Sequence, residues 1–261
     1  MQTNLIEVPS ITTPLYYIGS KKKLQKHLLP YTSPINKYGS VVCPFIGGGS
    51  IELLLSSLGF KVYASDINPL LVNFWNVLLS RAEQLNDLTV EYWNTKHLNE
   101  QWWTEIYNME PLEQAAIFWV VNRSSYMGVG FGDNPKCLTR ETPTMNIGII
   151  KSFKNFKSPN LFVEVSDYKE SLKKYDHLPA YMDPPYIDQE TYYNTGSFDH
   201  QQLHSILSNR SVPWLLSYND HDLVKELYSD FYINKIPWIS HMSNEKTRYR
   251  YELLISNFTP N

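Results

Sequence analysis

Apolar positions in the first third of the chain alternate with glycine-rich and polar stretches in a way that predicts an α/β fold. An apolar run at 40–44 predicts a buried strand, and the apolar residues of 51–58 recur at helical spacing before Gly59 ends the helix. A second strand is predicted at 61–65 and ends at Asp66, and Asn68 and Pro69 are start signals for another helix. This order is typical of the start of a doubly wound sheet.

The last hundred residues return to the same pattern. Helices are predicted at 199–207 and 220–228, and only the polar stretch 240–250 separates the last two apolar runs, which are therefore expected to form an antiparallel hairpin. The strands predicted here are 161–165, 180–183, 212–217, 231–237 and 251–258. Together with the first two they give a Rossmann-like α/β fold with seven strands and its antiparallel element at the end.

The stretch between these regions is rich in Trp, Asn and Glu and has one clear helical pattern, at 112–121. A structureless loop of this length is unusual inside a domain, so the stretch is predicted to be an inserted, mainly helical subdomain. The predicted division is a core of residues 1–80 and 160–261 and an insertion of residues 81–159.

The composition is that of an ordinary globular protein. The 261 residues carry a formal net charge of −3, with 43% hydrophobic and 19% charged residues, which excludes a disordered chain. Two cysteines predict a reducing, cytoplasmic compartment. The longest apolar run is 115–121 and no basic-then-apolar leader is present, so neither a membrane span nor a secretory signal is expected. The acidic balance, taken alone, argues against a nucleic-acid partner.

The clearest chemical motif is the string from Asp183 through Pro184 and Pro185 to Tyr186, at the end of a predicted strand. Two prolines hold the backbone rigidly and leave carbonyl groups exposed where α/β sheets bind ligands. A carboxylate, a carbonyl and an aromatic ring together suit a flat substrate with an amino group. The alternative is a plain turn that ends the strand.

Two weaker motifs precede it. The loop from Pro44 to Ser50 contains three glycines after a strand, which would let a ligand approach the backbone, and Asp66 could accept from ribose hydroxyls. The loop lacks the lysine of a Walker phosphate loop and has the wrong glycine spacing for a dinucleotide site, and a mere tight turn is the alternative. Tyr16 to Lys23 combines aromatic, glycine and lysine residues, and its alternative is a solvated basic face.

In combination and in this order, these strings resemble the DNA adenine N6-methyltransferases of the Dam type. Further segments extend the resemblance over nearly the whole chain: Asn122 to Gly128, Ser217 to Asp220, and Glu252 to Asn257. The resemblance implies a class I methyltransferase sheet with an inserted DNA-recognition subdomain, and S-adenosylmethionine as cofactor.

The resemblance also implies positions for the cofactor. Tyr17 would pack on its adenine, Asp66 would bind the ribose hydroxyls, and the loop 45–50 would surround the methionine part. The complete set of implied cofactor-binding residues is Tyr17, Lys21, Phe45, Gly47, Gly49, Ser50, Asp66, Asp167, Tyr168 and Asp183.

The implied catalytic residues are Asp183, Pro184 and Tyr186. The carboxylate and the Pro184 carbonyl would accept hydrogen bonds from N6 of the target adenine, whose lone pair is otherwise delocalised into the ring. Methyl transfer would then be a direct displacement that needs neither a metal nor a covalent intermediate. Tyr186 would stack on an adenine flipped out of the duplex.

The insertion is expected to bind the DNA. Met127 and 129–131 depart from the Dam pattern, where Asn and arginine are usual, so recognition of GATC is not predicted. Lys151, Lys154 and Lys157 form a local basic cluster that could attract phosphates despite the acidic total. The residues expected to bind DNA are Asn122, Arg123, Tyr126 and Met127, with Lys136 and Arg140 as phosphate contacts whose alternative is an ordinary surface position.

Double-stranded DNA is the expected partner of a monomeric bacterial or phage enzyme, with a cognate restriction enzyme as an open question. The alternatives are an N4-cytosine methyltransferase, which usually has Ser in place of Asp183, a protein glutamine methyltransferase, which usually has Asn there, and an inactive DNA-binding relative. His200 and His204 are spaced four apart but lack a third ligand, so no metal site is predicted.

Overall fold

The structure is a computed structural model that describes residues 12–17, 19–94, 101–125, 153–187, 198–240 and 248–260. Within these residues, seven strands form one mixed sheet. The strand order is β3-β2-β1-β4-β5-β7-β6. The strands, numbered along the chain, are Ser40–Cys43, Lys61–Asp66, Leu161–Val165, Ala180–Met182, Trp214–Asn219, Tyr232–Ser240 and Arg248–Ser256.

The directions of the strands agree with the predicted fold class. β1 pairs in parallel with both β2 and β4, and β7 runs antiparallel to its neighbours β5 and β6. The sheet is therefore the predicted Rossmann-like α/β sheet, with the expected hairpin of the last two strands. Because the chain order reverses at β1, a crevice opens there at the carboxyl ends of the strands.

The described helices cover the sheet and extend beyond it. A 3₁₀ turn at Lys21–Leu24 precedes the first of them, and a second 3₁₀ turn lies at Ile106–Asn108. The α-helices, numbered α1 to α8, are Gln25–Asn36, Ser50–Ser57, Pro69–Asn94, Gln101–Glu105, Pro111–Ser124, Tyr168–Lys174, His200–Ser208 and Asp222–Leu227.

Local chemistry accounts for the ends of α2 and α3. Gly59 has φ 93°, a left-handed conformation that suits glycine and ends α2 as predicted. Asn68 Oδ1 accepts from the backbone N–H of Leu70 at 3.0 Å and caps α3, which begins at Pro69. Within α3, Arg81 has φ −137° and ψ 41°, which produces a kink at this residue.

Two apolar clusters contain most of the buried apolar side chains of the described residues. One holds much of β1, β2 and α3 together with α5, so that Trp75, Phe118, Trp119 and Phe153 share it. The other is built around β4, β5 and α7. Part of the predicted insertion therefore packs directly onto α3, and the division into a core and an insertion stays a prediction. No helix in the described ranges is both long and apolar enough to span a bilayer.

Candidate active site

A cleft of about 660 Å³ opens at the carboxyl ends of β1, β2 and β4. The glycine loop after β1 forms one part of its lining, Asp66 at the end of β2 another, and Asp183 after β4 a third. This is the crevice created by the reversal of strand order, where open α/β sheets bind their ligands. The segment from Tyr16 to Lys23 contributes Tyr17 and Lys21 to the lining. All three motifs singled out in the sequence therefore contribute to one site.

Close contacts fix the glycine loop. A Cβ atom at Gly47 or Gly48 would lie 2.8 Å from Tyr17, and one at Gly49 would lie 2.4 Å from Trp75. Gly47 and Gly49 also have φ 43° and 69°, in the left-handed region that favours glycine. Trp75 Nε1 donates to the carbonyl of Gly47 at 3.1 Å. Glycine is needed here for the close approach of two aromatic rings as well as for the turn itself.

Asp66 is positioned by the backbone. Its Oδ2 accepts from the N–H of Gly47 at 3.2 Å, and its Oδ1 accepts from the N–H of Asn68 at 3.0 Å. Burial raises the pKa of this carboxyl, while the backbone donors act in the opposite direction. The carboxyl faces the cleft at the point where the sequence predicted an acid that binds ribose hydroxyls.

Three aromatic rings form a wall of the same cleft. Phe45 stacks on Tyr168 with ring centroids 5.5 Å apart, and Phe198 lies 5.8 Å from Phe45 and 5.2 Å from Tyr168. The hydroxyl of Tyr168 donates to Gln202 Oε1 at 3.1 Å, and Asp167 caps α6 by accepting from the N–H of Lys169. Phe45 and Tyr168 therefore offer a stacked apolar surface, and polar groups lie at its edge.

Asp183 is positioned by side chains. Its Oδ1 accepts from the Ser217 hydroxyl at 3.0 Å, and its Oδ2 forms an ion pair with Lys21 Nζ at 2.8 Å. Ser217 lies on β5 and Lys21 in the 3₁₀ turn before α1, so two separate elements orient this carboxylate. The hydroxyl of Tyr181 lies 3.1 Å from Ser217 Oγ and extends the network into the sheet.

Lys21 is the centre of the charged network. Its backbone N–H donates to Ser50 Oγ at 3.1 Å, and its Nζ donates to the carbonyl of Gly19 at 2.7 Å. Besides Asp183, Nζ lies 3.6 Å from Glu252 Oε1 and 4.7 Å from the centroid of the Tyr186 ring. The amino group that the resemblance assigns to the cofactor therefore contacts the catalytic motif directly.

Tyr186 is buried behind the cleft lining. Its hydroxyl donates to Glu252, and its ring stacks on Tyr218 with centroids 5.6 Å apart. Tyr218 in turn contacts His200 Nδ1 through its hydroxyl. His200 is thus engaged in ring packing, and within the described ranges no three His, Cys, Asp or Glu side chains are grouped to hold a metal ion.

A buried glutamate lies beneath the site. Glu52, in the first turn of α2, is only 3% exposed and still contributes to the cleft lining. Burial raises the pKa of its carboxyl to about 8, and the nearby negative charge of Asp183 acts in the same direction. At neutral pH this group is therefore mainly protonated.

The structure brings the implied cofactor residues together in one cleft. All ten line it: Tyr17, Lys21, Phe45, Gly47, Gly49, Ser50, Asp66, Asp167, Tyr168 and Asp183. Glu52, Ser217 and Glu252 also contribute to the site or its network, and their roles are not apparent from the sequence. Ser217 and Glu252 were part of the segments that carried the resemblance, and Glu52 follows the glycine loop by two positions, but a strand sequence does not reveal which distant side chain it meets.

The residues implied to bind DNA are only partly described. Asn122 and Arg123 lie in α5 and hold the N-terminal segment: Asn122 bonds both backbone groups of Tyr16, at 3.0 and 2.8 Å, and Arg123 Nη2 donates to the carbonyl of Pro14 at 2.7 Å. Their contact with DNA stays a prediction. Tyr126, Met127, Lys136 and Arg140 lie outside the described residues.

Comparison with known proteins identifies the family. The sheet and the cleft define a Rossmann-like α/β protein with its ligand site at the carboxyl ends of the strands. The family model described as D12 class N6 adenine-specific DNA methyltransferase matches residues 17–242, and the chain belongs to this family. The Dam-type resemblance and the enzyme class predicted from the sequence are thereby confirmed.

The search of solved structures gives a distant likeness. A precorrin-6Y C5,15-methyltransferase from Geobacter metallireducens is 8% identical, with 83% of this chain and 78% of that chain covered and a TM-score of 0.38. A likeness at this level carries no argument about function. No curated protein matches the chain.

Proposed function

We propose that this protein transfers the methyl group of S-adenosylmethionine to N6 of an adenine that is flipped out of double-stranded DNA. Membership of the family supports methylation of DNA adenine. The observation that carries the finer proposal is the position of Asp183, which lines the same cleft as the glycine loop and Asp66. A substrate amine at Asp183 would therefore be adjacent to a ligand bound along the loop.

The cleft has the chemistry to hold this cofactor. Its volume of about 660 Å³ lies within the range of small-molecule sites, roughly 300–1,000 Å³. Asp66 offers a carboxylate to a pair of ribose hydroxyls, and the Phe45–Tyr168 wall offers apolar surface to an adenine ring. When bound, S-adenosylmethionine supplies an electrophilic methyl group on a sulfonium centre.

Asp183 and Pro184 would orient the target amine. The lone pair of adenine N6 is delocalised into the ring, so the amine is a weak nucleophile until acceptors hold its hydrogens and favour a pyramidal nitrogen. Asp183 suits this role because Ser217 and Lys21 fix its two oxygens. The acceleration then comes from positioning and from charge.

Tyr186 and the insertion would handle the DNA. An adenine within a duplex cannot reach Asp183, so the base has to leave the stack, and the ring of Tyr186 is the proposed surface for it.

We propose that residues 81–159 recognise the duplex, through Asn122, Arg123, Tyr126, Met127, Lys136 and Arg140, and that residues 1–80 and 160–261 perform catalysis. A monomer acting in the bacterial or phage-infected cytoplasm is the proposed setting, and a restriction partner is not assigned.

The proposal is tested by incubating the protein with duplex DNA and S-adenosylmethionine labelled in the methyl group. Digestion to nucleosides is expected to place the label in N6-methyladenine, with a faster rate on duplex than on the same sequence as a single strand. Asp183→Ala, assayed in parallel, is the inactive control. Label in N4-methylcytosine, or in the protein fraction alone, would contradict the proposed reaction.

A further inference from the structure

One lysine is shared by two partly buried carboxylates at the Asp183 end of the cleft. Lys21 Nζ lies 2.8 Å from Asp183 Oδ2 and 3.6 Å from Glu252 Oε1, and the side chains of Lys21, Asp183 and Glu252 are 9%, 22% and 14% exposed. Because water screens charges weakly in such a place, each carboxylate affects how firmly the other holds the ammonium group. The shorter distance shows that Asp183 is its main partner in this state.

Glu252 contributes to this network from β7, the last strand in the chain. It lies on β7, opposite Asn219 of β5 and Ile236 of β6. The oxygen that faces Lys21, Oε1, also accepts the hydroxyl hydrogen of Tyr186. A buried carboxylate is retained only with such partners, since an unpaired charge is costly to remove from water. Glu252 therefore connects the lysine, the catalytic motif and the closing strand.

Lys21 occupies the positions that the proposed reaction assigns to the target base. Its ammonium group lies on Asp183 Oδ2, the acceptor proposed for the N6 amine, and also 4.7 Å from the centroid of the Tyr186 ring, the proposed stacking surface. An incoming amine would meet the ammonium group at that oxygen. The lysine therefore has to shift before Asp183 Oδ2 becomes available to a substrate.

We propose that Glu252 is a positioning residue that receives the Lys21 ammonium group when the target amine binds Asp183. The inference rests on the proposed function and adds the step by which Asp183 is released. The shift is short, because Nζ and Glu252 Oε1 are already 3.6 Å apart. Without the charge of Glu252, the ion pair between Lys21 and Asp183 would lose its competing carboxylate, and the substrate amine would compete for the oxygen against a stronger ion pair.

Glu252→Gln and Glu252→Asp separate the charge of Glu252 from its other contacts. The glutamine keeps the size and the acceptor for Tyr186 but removes the charge, whereas the aspartate keeps the charge on a shorter side chain. At saturating duplex DNA and cofactor, Glu252→Gln is expected to lower the rate of adenine methylation about tenfold, equivalent to about 1.4 kcal/mol. The KM for the cofactor should stay within about twofold of the wild-type value. Glu252→Asp should recover most of the wild-type rate.

Glu164→Gln is the matched control. Glu164 is also a strand glutamate paired with a lysine, with Oε2 2.6 Å from Lys174 Nζ, but neither residue belongs to the network of Lys21, Asp183 and Glu252. Its replacement should leave the rate unchanged. In a Tyr186→Phe background, Glu252→Gln should still lower the single-turnover rate about tenfold, because the proposed effect acts through Lys21 and not through the tyrosine hydroxyl.

Three results would overturn the inference while leaving the proposed function intact. These are wild-type rates in Glu252→Gln, equal losses in Glu252→Gln and Glu252→Asp with lowered melting temperatures, and disappearance of the Glu252→Gln effect in the Tyr186→Phe background. A wild-type protein that forms no N6-methyladenine would instead overturn the proposed function, and this inference with it.

Discussion

Two of the carboxylates that line the cleft, those of Asp66 and Asp183, are held in opposite ways. Asp66 accepts hydrogen bonds from two backbone N–H groups, those of Gly47 at 3.2 Å and Asn68 at 3.0 Å. Asp183 is held by two side chains, with Ser217 Oγ at 3.0 Å and Lys21 Nζ at 2.8 Å. The first carboxylate thus depends on loop geometry, and the second on groups that can rotate away or carry charge.

This difference matches the two tasks proposed for the cleft. Backbone donors cannot leave their positions, so Asp66 is suited to a cofactor that binds in the same way in every turnover. A side chain such as Lys21 can exchange one carboxylate for another, so Asp183 is suited to a partner that arrives and departs. We therefore expect the site to consist of a rigid half, formed by the glycine loop and Asp66, and an adaptable half, formed by Asp183 with Lys21, Ser217 and Glu252.

The largest effect is expected from Asp183→Ala. Removing the acceptor for the target amine should lower the rate of methyl transfer about a thousandfold, the loss found when one charge-stabilising group is removed from an active site. Affinity for S-adenosylhomocysteine, measured by calorimetry, should change far less. If the affinity falls as much as the rate, Asp183 serves mainly to bind the cofactor and the two halves do not differ as described.

The rigid half can be tested through stability, with Gly49→Ala. A Cβ atom there would lie 2.4 Å from Trp75, at a backbone φ of 69°. Overpacking and a left-handed alanine together should cost about 3 kcal/mol in the free energy of unfolding, measured with urea. Gly39→Ala is the matched control, because φ is 61° but nothing lies within 4 Å of the added atom. Equal losses in the two variants would show that Trp75 does not constrain the loop.

Asp66→Asn should have a smaller and different effect. The amide keeps the shape of the carboxylate but loses its charge, which should cost about 2 kcal/mol of cofactor binding and raise the cofactor KM about thirtyfold. The rate at saturating cofactor should change little, because Asp66 does not contact the proposed site of the amine. A large fall in that rate with an unchanged KM would place Asp66 in the chemical step and remove the contrast with Asp183.

The fold followed from the sequence because each element carries its own local signal. The strands show apolar runs, and the glycine loop, Gly59, Asn68 and Pro69 indicate the ends of helices α2 and α3. Helix α1 was not predicted, because it contains Pro30 and Pro34, which normally argue against a helix. The kink at Arg81 carries no comparable signal in the sequence.

Each half of the site contains a motif that the sequence shows, the glycine loop in one and the Asp183 to Tyr186 string in the other, but the partners of Asp183 were not predicted. The rigid half is built from neighbours in the chain, so its loop and its acid were recognisable as motifs. The adaptable half combines Lys21 with Ser217 and Glu252, which come from distant segments and meet only in the folded sheet. No spacing rule predicts that a glutamate on the last strand accepts a hydrogen bond from Tyr186.

The smallest expected effect is on stability and concerns Glu52, the buried glutamate that contributes to the lining of the cleft. Its pKa is raised by burial from an ordinary 4.5 to about 8, so the folded protein favours the protonated form. The contribution that the protonated Glu52 carboxyl makes to the free energy of unfolding is fully present below pH 4.5 and is lost as the pH rises towards 8. Between pH 6 and pH 7, wild type should therefore lose about 1.4 kcal/mol of unfolding free energy relative to Glu52→Gln, which does not titrate.

Urea unfolding of both proteins at several pH values between 5 and 9 measures this difference. Glu164→Gln is the control for the loss of a glutamate, because the side chain of Glu164 is 40% exposed and its replacement should leave the pH dependence as in wild type. The wild-type and Glu52→Gln curves should diverge with rising pH and become parallel above about 8. Parallel curves throughout would mean that Glu52 is already ionised when folded. An ionised Glu52 would add a negative charge near Lys21, and the adaptable half would then contain more negative charge than the description above gives it.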